Sequence, residues 1–350
     1  MAAPSGPASG HTAHHASGSR LITWSPSVTL VPARGCFNAC GYCSFRLPSD
    51  PADPFVGGHD PQEAVTLLRQ RPEALEVLLL SGEVAPGAPE RARWFGRLRL
   101  FCQLALNQGR LPHTNAGPLS RREMASLARL NGSMGLMLEG LGPAYDALHQ
   151  RAPSKRLARR LEQLELAGRL GIPFTTGLLL GLGETASDRR DALELLAQLQ
   201  RRWGHIQEVI LQPWRAGPDP LSGGNPTPEP LADACCDELL RTIAEARAIL
   251  PPEVHLQLPP NLWPARRLIE ALEAGINDLG GIDIHDVINP AYPQPRIASL
   301  AATLETAGYQ LRPRLCVHDA WIPRLSAPLR HAASVASARL RQASLTPSLA

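Results

Sequence analysis

Arg34-Gly35-Cys36-Phe37-Asn38-Ala39-Cys40-Gly41-Tyr42-Cys43-Ser44-Phe45 holds three of the chain's seven cysteines, spaced Cys-x3-Cys-x2-Cys. The apolar, β-branched run Val28-Thr29-Leu30-Val31 leads into it. Three thiolates on one short loop can face a single point and hold iron or zinc. A closed structural site takes four, and the chain has no second Cys-x2-Cys pair to complete a zinc ribbon. Three ligands leave one iron of a cubane with an open position, which points to chemistry. Zinc, or plain buried thiols, is the alternative reading of the spacing.

Outward from this loop, short apolar runs alternate with segments of helical period. Strands are expected at about Ser27–Pro32, Leu75–Ser81, Leu111–Asn115, Gly132–Glu139, Phe174–Leu180, His205–Gln212, His255–Leu258 and, Gly-rich and weakest, within Ile276–Ile284. Helices are expected at Pro61–Gln70, Arg91–Asn107, from Ser120 onward, Arg156–Leu170, Ser187–Arg202, Leu231–Leu250, Ala265–Ala274 and Arg296–Ala307. Ser120 with Glu123 three residues on is a capping-box pattern, and Gly171 is a natural C-cap. Eight β–α units predict an α/β fold, a (β/α)8 TIM-type barrel, with a doubly wound sheet as the alternative. Active sites of such barrels gather at the C-terminal ends of the strands. Unusual polar residues and glycines fall there: the cysteine loop, Gly82-Glu83, His113-Thr114-Asn115, Glu139, Gly183-Glu184, Gln212 with Arg215, and Asn261.

The chain has 350 residues, 44% of them hydrophobic, enough for a large core. No run approaches the ~20 apolar residues of a membrane helix, so no membrane partner is expected. Met1–Ser19 lacks the apolar core of a secretory signal. The organisation expected is a disordered leader at 1–20, the barrel at 21–325 and a low-complexity tail at 326–350 that carries arginines and is open to being part helix. With no signal, a disulfide framework is disfavoured and a reducing cytoplasm fits. The net charge is +3, and Lys155 is the sole lysine. The basic run Lys155-Arg156-Leu157-Ala158-Arg159-Arg160 reads as a solvated helix face, not as a nucleic-acid patch.

A Cys-x3-Cys-x2-Cys loop after the first strand of such a barrel resembles the radical S-adenosylmethionine (SAM) superfamily. The resemblance implies a 4Fe-4S cluster on Cys36, Cys40 and Cys43, with the amino and carboxylate groups of SAM on the fourth iron. It places Tyr42 near the adenine, and Ser81-Gly82-Glu83 resembles the segment that takes the SAM amino group. Gly177-Leu178-Leu179-Leu180-Gly181-Leu182-Gly183-Glu184 resembles the stretch that lines the adenine, through Gly181 and Glu184. Glu139 ends an apolar strand and needs a partner if buried: a SAM hydroxyl or amino group, or a barrel arginine. Asn115 and Ser133 complete the expected cofactor contacts.

Further segments narrow the resemblance. Cys40-Gly41-Tyr42-Cys43-Ser44-Phe45, Leu111-Pro112-His113-Thr114-Asn115, Asn131–Glu139, Ile172–Gly177, Gly204–Ile210 and Gln257–Leu262 together resemble the 7,8-didemethyl-8-hydroxy-5-deazariboflavin (FO) synthase family, over about Trp24 to Pro295. This implies a hydroxybenzyl–ribityl–uracil adduct as substrate, a companion radical SAM coupling subunit that makes it, and a low-potential electron donor. Gln207, Glu208, Gln212, Arg215 and Asn261 offer hydrogen-bonding groups to such a substrate. Strand alternation predicts that Gln207 and Glu208 do not both face the interior. His113, His285 and Asp286 are candidates for proton transfer, or for structural roles. Departures from the family pattern lie at Phe37, at Asn277-Asp278-Leu279-Gly280-Gly281 and after Pro213-Trp214-Arg215-Ala216-Gly217, mostly on the substrate side. Other radical SAM reactions, such as the coupling step or an aminofutalosine-type menaquinone step, and a non-catalytic iron–sulfur protein are the competing readings.

Overall fold

The computed structural model describes residues 20–217 and 229–345, with side chains to 342. Residues 1–19 of the expected leader and the Pro/Gly-rich continuation at 218–228 lie outside the described residues.

Eight parallel strands close into a barrel: β1 Arg20–Leu30, β2 Glu76–Leu80, β3 Leu111–Asn115, β4 Ser133–Gly135, β5 Phe174–Leu180, β6 Ile206–Pro213, β7 His255–Gln257 and β8 Asp278–Ile282. Closure comes from β8 against β1, with Thr23 opposite Asp278 and Ser25 opposite Gly281. The doubly wound alternative is thereby excluded. Around the barrel run α1 Pro61–Gln70, α2 Arg91–Asn107, α3 Arg121–Ala128, α4 Pro143–Leu148, α5 Leu157–Arg169, α6 Ala186–Trp203, α7 Asp233–Ile249, α8 Leu268–Ala274 and α9 Ile297–Thr306. Strands covered on both faces should read as continuous apolar runs, and β5, Phe-Thr-Thr-Gly-Leu-Leu-Leu, is buried throughout. The expected capping box forms, with Ser120 Oγ accepting from Glu123 N at 3.3 Å and Glu123 Oε2 from Ser120 N at 2.8 Å. Such caps contribute about 1 kcal/mol.

Three local expectations need correction. β1 begins at Arg20 rather than near Ser27 because it serves three neighbours: Ser27–Leu30 pair with β2, Thr23–Pro26 with β8, and Arg20–Trp24 with a further strand, β9 Tyr309–Pro313. β4 is shorter than Gly132–Glu139. Leu138 N bonds the Thr176 hydroxyl instead of a backbone carbonyl, and Glu139 turns to φ 76°, keeping only an isolated bridge to Leu178. The segment after 325 is helix over α10 Ala327–Leu345, and its Leu329, Ala333 and Ala336 are buried with Leu75, Leu111, Leu315 and Trp321. That helix covers the N-terminal end of the barrel. Among the described residues no helix is long and apolar enough to cross a membrane.

Candidate active site

The cysteine loop is clamped at the C-terminal mouth by backbone bonds. Phe37 N donates to Glu83 O at 3.0 Å, Ala39 N to Arg151 O at 2.8 Å, and Gly82 N to Ala33 O at 2.7 Å. The β2 end and the loop lie so close that a Cβ on Gly82 would stand 2.2 Å from Gly35 O. Glycine is required there for approach. All three thiols are free, Cys40 buried and Cys36 and Cys43 partly so. Burial pushes the Cys40 thiol up to about 11, against the pull of Lys155. Asn38 Nδ2 points at Cys36 Sγ from 3.6 Å. Three soft donors on one loop, with an amide N–H beside one of them, suit an iron–sulfur cluster with one open iron.

Beside the loop lies a cavity walled by Tyr42, Glu139, Lys155, Arg160, Trp214 and Arg215. Glu139 is its centre. Lys155 Nζ pairs with Glu139 Oε1, Arg160 Nη2 lies 3.8 Å from it, and Tyr42 Oη reaches Oε2 at 3.4 Å. Burial opposes ionisation of Glu139, but Lys155 and Arg160 outweigh it and hold the carboxyl below its usual range. Its left-handed backbone costs about 1–3 kcal/mol in a non-glycine residue, which the ion pairs and flanking β5 bonds offset. Glu83, also buried, accepts from Asn38 at 3.0 Å, from Arg160 at 3.3 Å and from the Ser154 hydroxyl. The Tyr42 hydroxyl meets His149 Nε2 at 2.9 Å.

The basic run is therefore not wholly a solvated face. Arg156 and Arg159 are exposed, but Lys155 and Arg160 turn inward, Arg160 with 1% of its surface accessible. The signal was present: Arg160 shares a helical stripe with Leu164 and Ala167, at i+4 and i+7. Asn38, Ser154 and His149 carried no such mark.

A second cavity is the barrel lumen. It meets the first along Leu80, Asn115, Met137, Gln212, Ile288 and Asn289. Glu208, His113, Asn261, His285 and Asp286 line it, and with Asn115 and Gln212 of the shared wall and Tyr42, Cys43, Glu83, Glu139 and Arg215 of the first cavity they converge on two joined spaces. His113 is buried, its Nδ1 bonded to Ser133 Oγ at 2.7 Å, and burial pushes it down to about 4. It is neutral at pH 7. Asp286 is a loop staple: it takes the side-chain amides of Asn261 and Asn289 at 2.8 and 3.1 Å and the backbone N–H groups of Ile288 and Asn289. Those four donors occupy the carboxylate and fix the loop. His285 is exposed at the lumen edge.

Gly181, Glu184, Ser133 and Gln207 fall outside both cavities. Glu184 folds back on its own loop, accepting from Gly181 N and Leu182 N at 2.8 Å and pairing with Arg189 at 3.2 Å. Gly181, at φ 94°, serves that turn. Ser133 and Gln207 face the floor and hold the chain segment after β9: Cys316 O accepts from Ser133 Oγ at 2.7 Å and from Gln207 Nε2 at 2.9 Å, and Gln207 Oε1 accepts from His318 N at 3.1 Å. The alternation argument also fails here. A bulge between Phe174 and Thr175 on the β5–β6 ladder lets Gln207 and Glu208 both reach the Thr175 hydroxyl, at 3.4 and 3.2 Å.

That segment supplies a residue the sequence did not reveal. Arg314 enters the lumen from below and pairs with Asp278, at 2.5 and 2.6 Å, and with Glu208 at 3.1 Å. Asp278 is held well below the carboxylate range because Arg314 outweighs its burial. Glu76 and Glu208 go the other way: burial lifts each to about 7 despite Arg314. His255, Asp278 and His318 bring three ligand-type atoms within 4.8 Å of one another. Both Asp278 oxygens are already taken by Arg314, and the two imidazoles stack 3.7 Å apart at 15°. Stacked rings send their lone pairs side by side instead of to one point, so this group anchors the floor.

Barrel, three-thiol loop and adjoining cavity together define a radical SAM protein, and the profile of the radical SAM superfamily matches residues 30–196. The fold is shared with the [FeFe]-hydrogenase maturase HydG from Carboxydothermus hydrogenoformans, at TM-score 0.67 and 18% identity over 93% of this chain and 78% of that one. Methylornithine synthase (PylB) gives 0.60 and 15%, over 84% of each chain. Much closer in sequence is the 7,8-didemethyl-8-hydroxy-5-deazariboflavin synthase of Gloeobacter violaceus, 47% identical over 330 residues, 93% of this chain and 99% of the relative. That of Synechococcus elongatus is 48% identical over 310 residues, 88% of this chain and 89% of the relative. The chain belongs to the 7,8-didemethyl-8-hydroxy-5-deazariboflavin synthase family of radical SAM enzymes.

Proposed function

We propose that this chain forms the deazaflavin chromophore FO from 5-amino-5-(4-hydroxybenzyl)-6-(D-ribitylimino)-5,6-dihydrouracil, with SAM consumed to methionine and 5′-deoxyadenosine and ammonia released. The observation that carries this reading is the pair of joined cavities: one against the cysteine loop, the other a deep polar lumen, sharing the wall of Leu80, Met137 and Ile288. When bound to Cys36, Cys40 and Cys43, a 4Fe-4S cluster supplies the electron that cleaves SAM to a 5′-deoxyadenosyl radical.

This chain's own residues do the rest by placement. In the first cavity Lys155, Arg160 and Arg215 are cations available to the SAM carboxylate, and Glu139 and Glu83 acceptors available to its ammonium. Tyr42 closes that side, its hydroxyl tied to His149 and its carbonyl to Trp214 Nε1 at 3.3 Å. Asn115 and Gln212 stand at the junction, where they can hold the adduct in register with the radical. The enclosed lumen keeps water from a reactive intermediate. His113, neutral and tethered to Ser133, and His285 at the lumen edge are imidazoles available to pass a proton in ring closure. The adduct comes from a companion coupling subunit and the electron from a low-potential donor; a reducing cytoplasm suits both.

Anaerobic reconstitution with iron and sulfide, followed by SAM, reductant and the adduct, tests the reading. Fluorescent deazaflavin with 5′-deoxyadenosine is the expected result. Deoxyadenosine without deazaflavin points to a different radical SAM reaction, and no SAM cleavage at all points to a non-catalytic iron–sulfur protein.

A further inference from the structure

We propose that the lumen floor, built from Glu76, Glu208 and Arg314 with Asn261 and Gln294 above them, is the subsite for the polyhydroxylated chain of the substrate, with the aromatic end directed to the mouth. The inference rests on the FO reading above and assigns which end of that substrate goes where.

The lumen has two chemistries. Where it joins the first cavity Leu80, Met137 and Ile288 give it an uncharged, partly apolar wall, with the amides of Asn115, Gln212 and Asn289 among them. At the other end stand Glu76, Glu208 and Arg314, the last delivered by the segment following β9. From this end up to the loops after β7 and β8, lumen acceptors outnumber free donors. Arg314 is spent on Asp278 and Glu208, leaving the Glu76 carboxyl beside it without a cation of its own. Asn261 Nδ2 donates to Asp286 and to Tyr292 O, which fixes the amide and leaves its buried Oδ1 with no donor. Gln294 Oε1 is likewise buried and unpartnered. An unsatisfied buried acceptor costs about 1–3 kcal/mol, so these atoms call for a ligand rich in O–H and N–H donors. Gly281 adds room: a Cβ there would stand 3.1 Å from Glu76 Oε1. A ribityl chain carries several hydroxyl donors on a slim backbone, whereas a hydroxybenzyl ring carries one. The radical is generated at the cysteine-loop side, so the reacting aromatic end must lie at the uncharged junction and the chain must run down to the charged floor.

The test compares the adduct with an analogue whose ribityl chain is replaced by an unsubstituted alkyl chain. Measurements are made on the reconstituted enzyme, its Glu76→Gln and Glu208→Gln variants and Gly281→Ala, which narrows the floor without removing a charge. We expect wild-type kcat/KM to fall at least tenfold on the alkyl analogue. The variants should lose tenfold or more on the natural adduct, chiefly through KM, while matching wild type on the analogue. KM for SAM should move less than twofold throughout. Equal losses on both substrates, or a wild type indifferent to the hydroxyls, overturn the subsite while leaving the reaction standing. A wild type that makes no deazaflavin from the natural adduct overturns the reaction and the subsite with it.

Discussion

The mouth and the floor of this barrel are both dense in buried charge, but they are built in opposite ways. At the mouth, Cys36, Cys40, Cys43, Tyr42, Glu83 and Glu139 sit on loops that directly follow strands, and Lys155 and Arg160 come from the short turn before α5 and from its first turn. At the floor, Glu76, Glu208 and Asp278 point inward from three separate strands, and the arginine that pairs with Glu208 and Asp278 arrives from beyond the eighth barrel unit. The mouth's polar groups carry chemistry with little bearing on whether the barrel closes. The floor's charged groups tie β6 and β8 to the segment after β9.

The sharpest way to break this contrast is at the two extremes. Cys40→Ala should abolish SAM cleavage and cluster absorbance, while the unfolding free energy of the metal-free chain changes by no more than about 1 kcal/mol; a large loss of stability would show the loop to be structural. Arg314→Met should do the reverse, leaving Asp278 and Glu208 buried without their cation and costing about 3–5 kcal/mol in urea denaturation. A loss under about 1 kcal/mol would show that the floor carboxyls are satisfied by other means. Within the mouth, Glu139→Gln and Lys155→Met should each raise KM for SAM by roughly tenfold, about 1.4 kcal/mol. Combined, they should cost less than the sum, because the two groups are paired; simple additivity would mean they act separately.

The smallest effect is a slope. Burial pushes His318 down to about 3 and His255 to about 4, from an ordinary 6.5. Between about pH 4 and 6.5 the unfolded chain binds protons that the folded one refuses. Stability from these rings is therefore complete above 6.5 and is lost as pH falls through that window. Glu76 and Glu208, lifted to about 7 from 4.5, act in the opposite sense, losing stability as pH rises from 4.5 to 7. Replacing His318 with glutamine should reduce the rise of stability with pH across 4 to 6.5, by up to about 1.4 kcal/mol per pH unit. An unchanged slope would show that the ring titrates normally.

The same contrast explains what could be read from sequence. Eight strands and the cysteine loop were legible because parallel strands buried on both faces are continuous apolar runs, and because thiols at fixed spacing are local. Glu139 was legible for the same reason, a charge ending an apolar strand. Arg314 was not, since nothing near it in sequence says that Asp278 is its partner 36 positions away. Gln207 was misread for a related reason: a one-residue bulge, invisible in a pattern of period two, turned it toward the strap that it holds. Ser133 and Glu184 are polar residues at strand ends whose partners prove to be backbone groups, a common fate of such positions.

The placement of β9 beside the first residues of β1 has a consequence for synthesis on the ribosome. Every residue that walls the mouth has been translated by Asn289, but Arg314 and its anchor at Cys316 come later, and Arg20–Trp24 wait for Tyr309–Pro313 as edge partners. Until then Asp278 and Glu208 have no cation, and the nascent barrel is open at its base. The cysteine-loop end of the barrel can thus take shape first, while the floor is finished only once the segment after β9 has emerged.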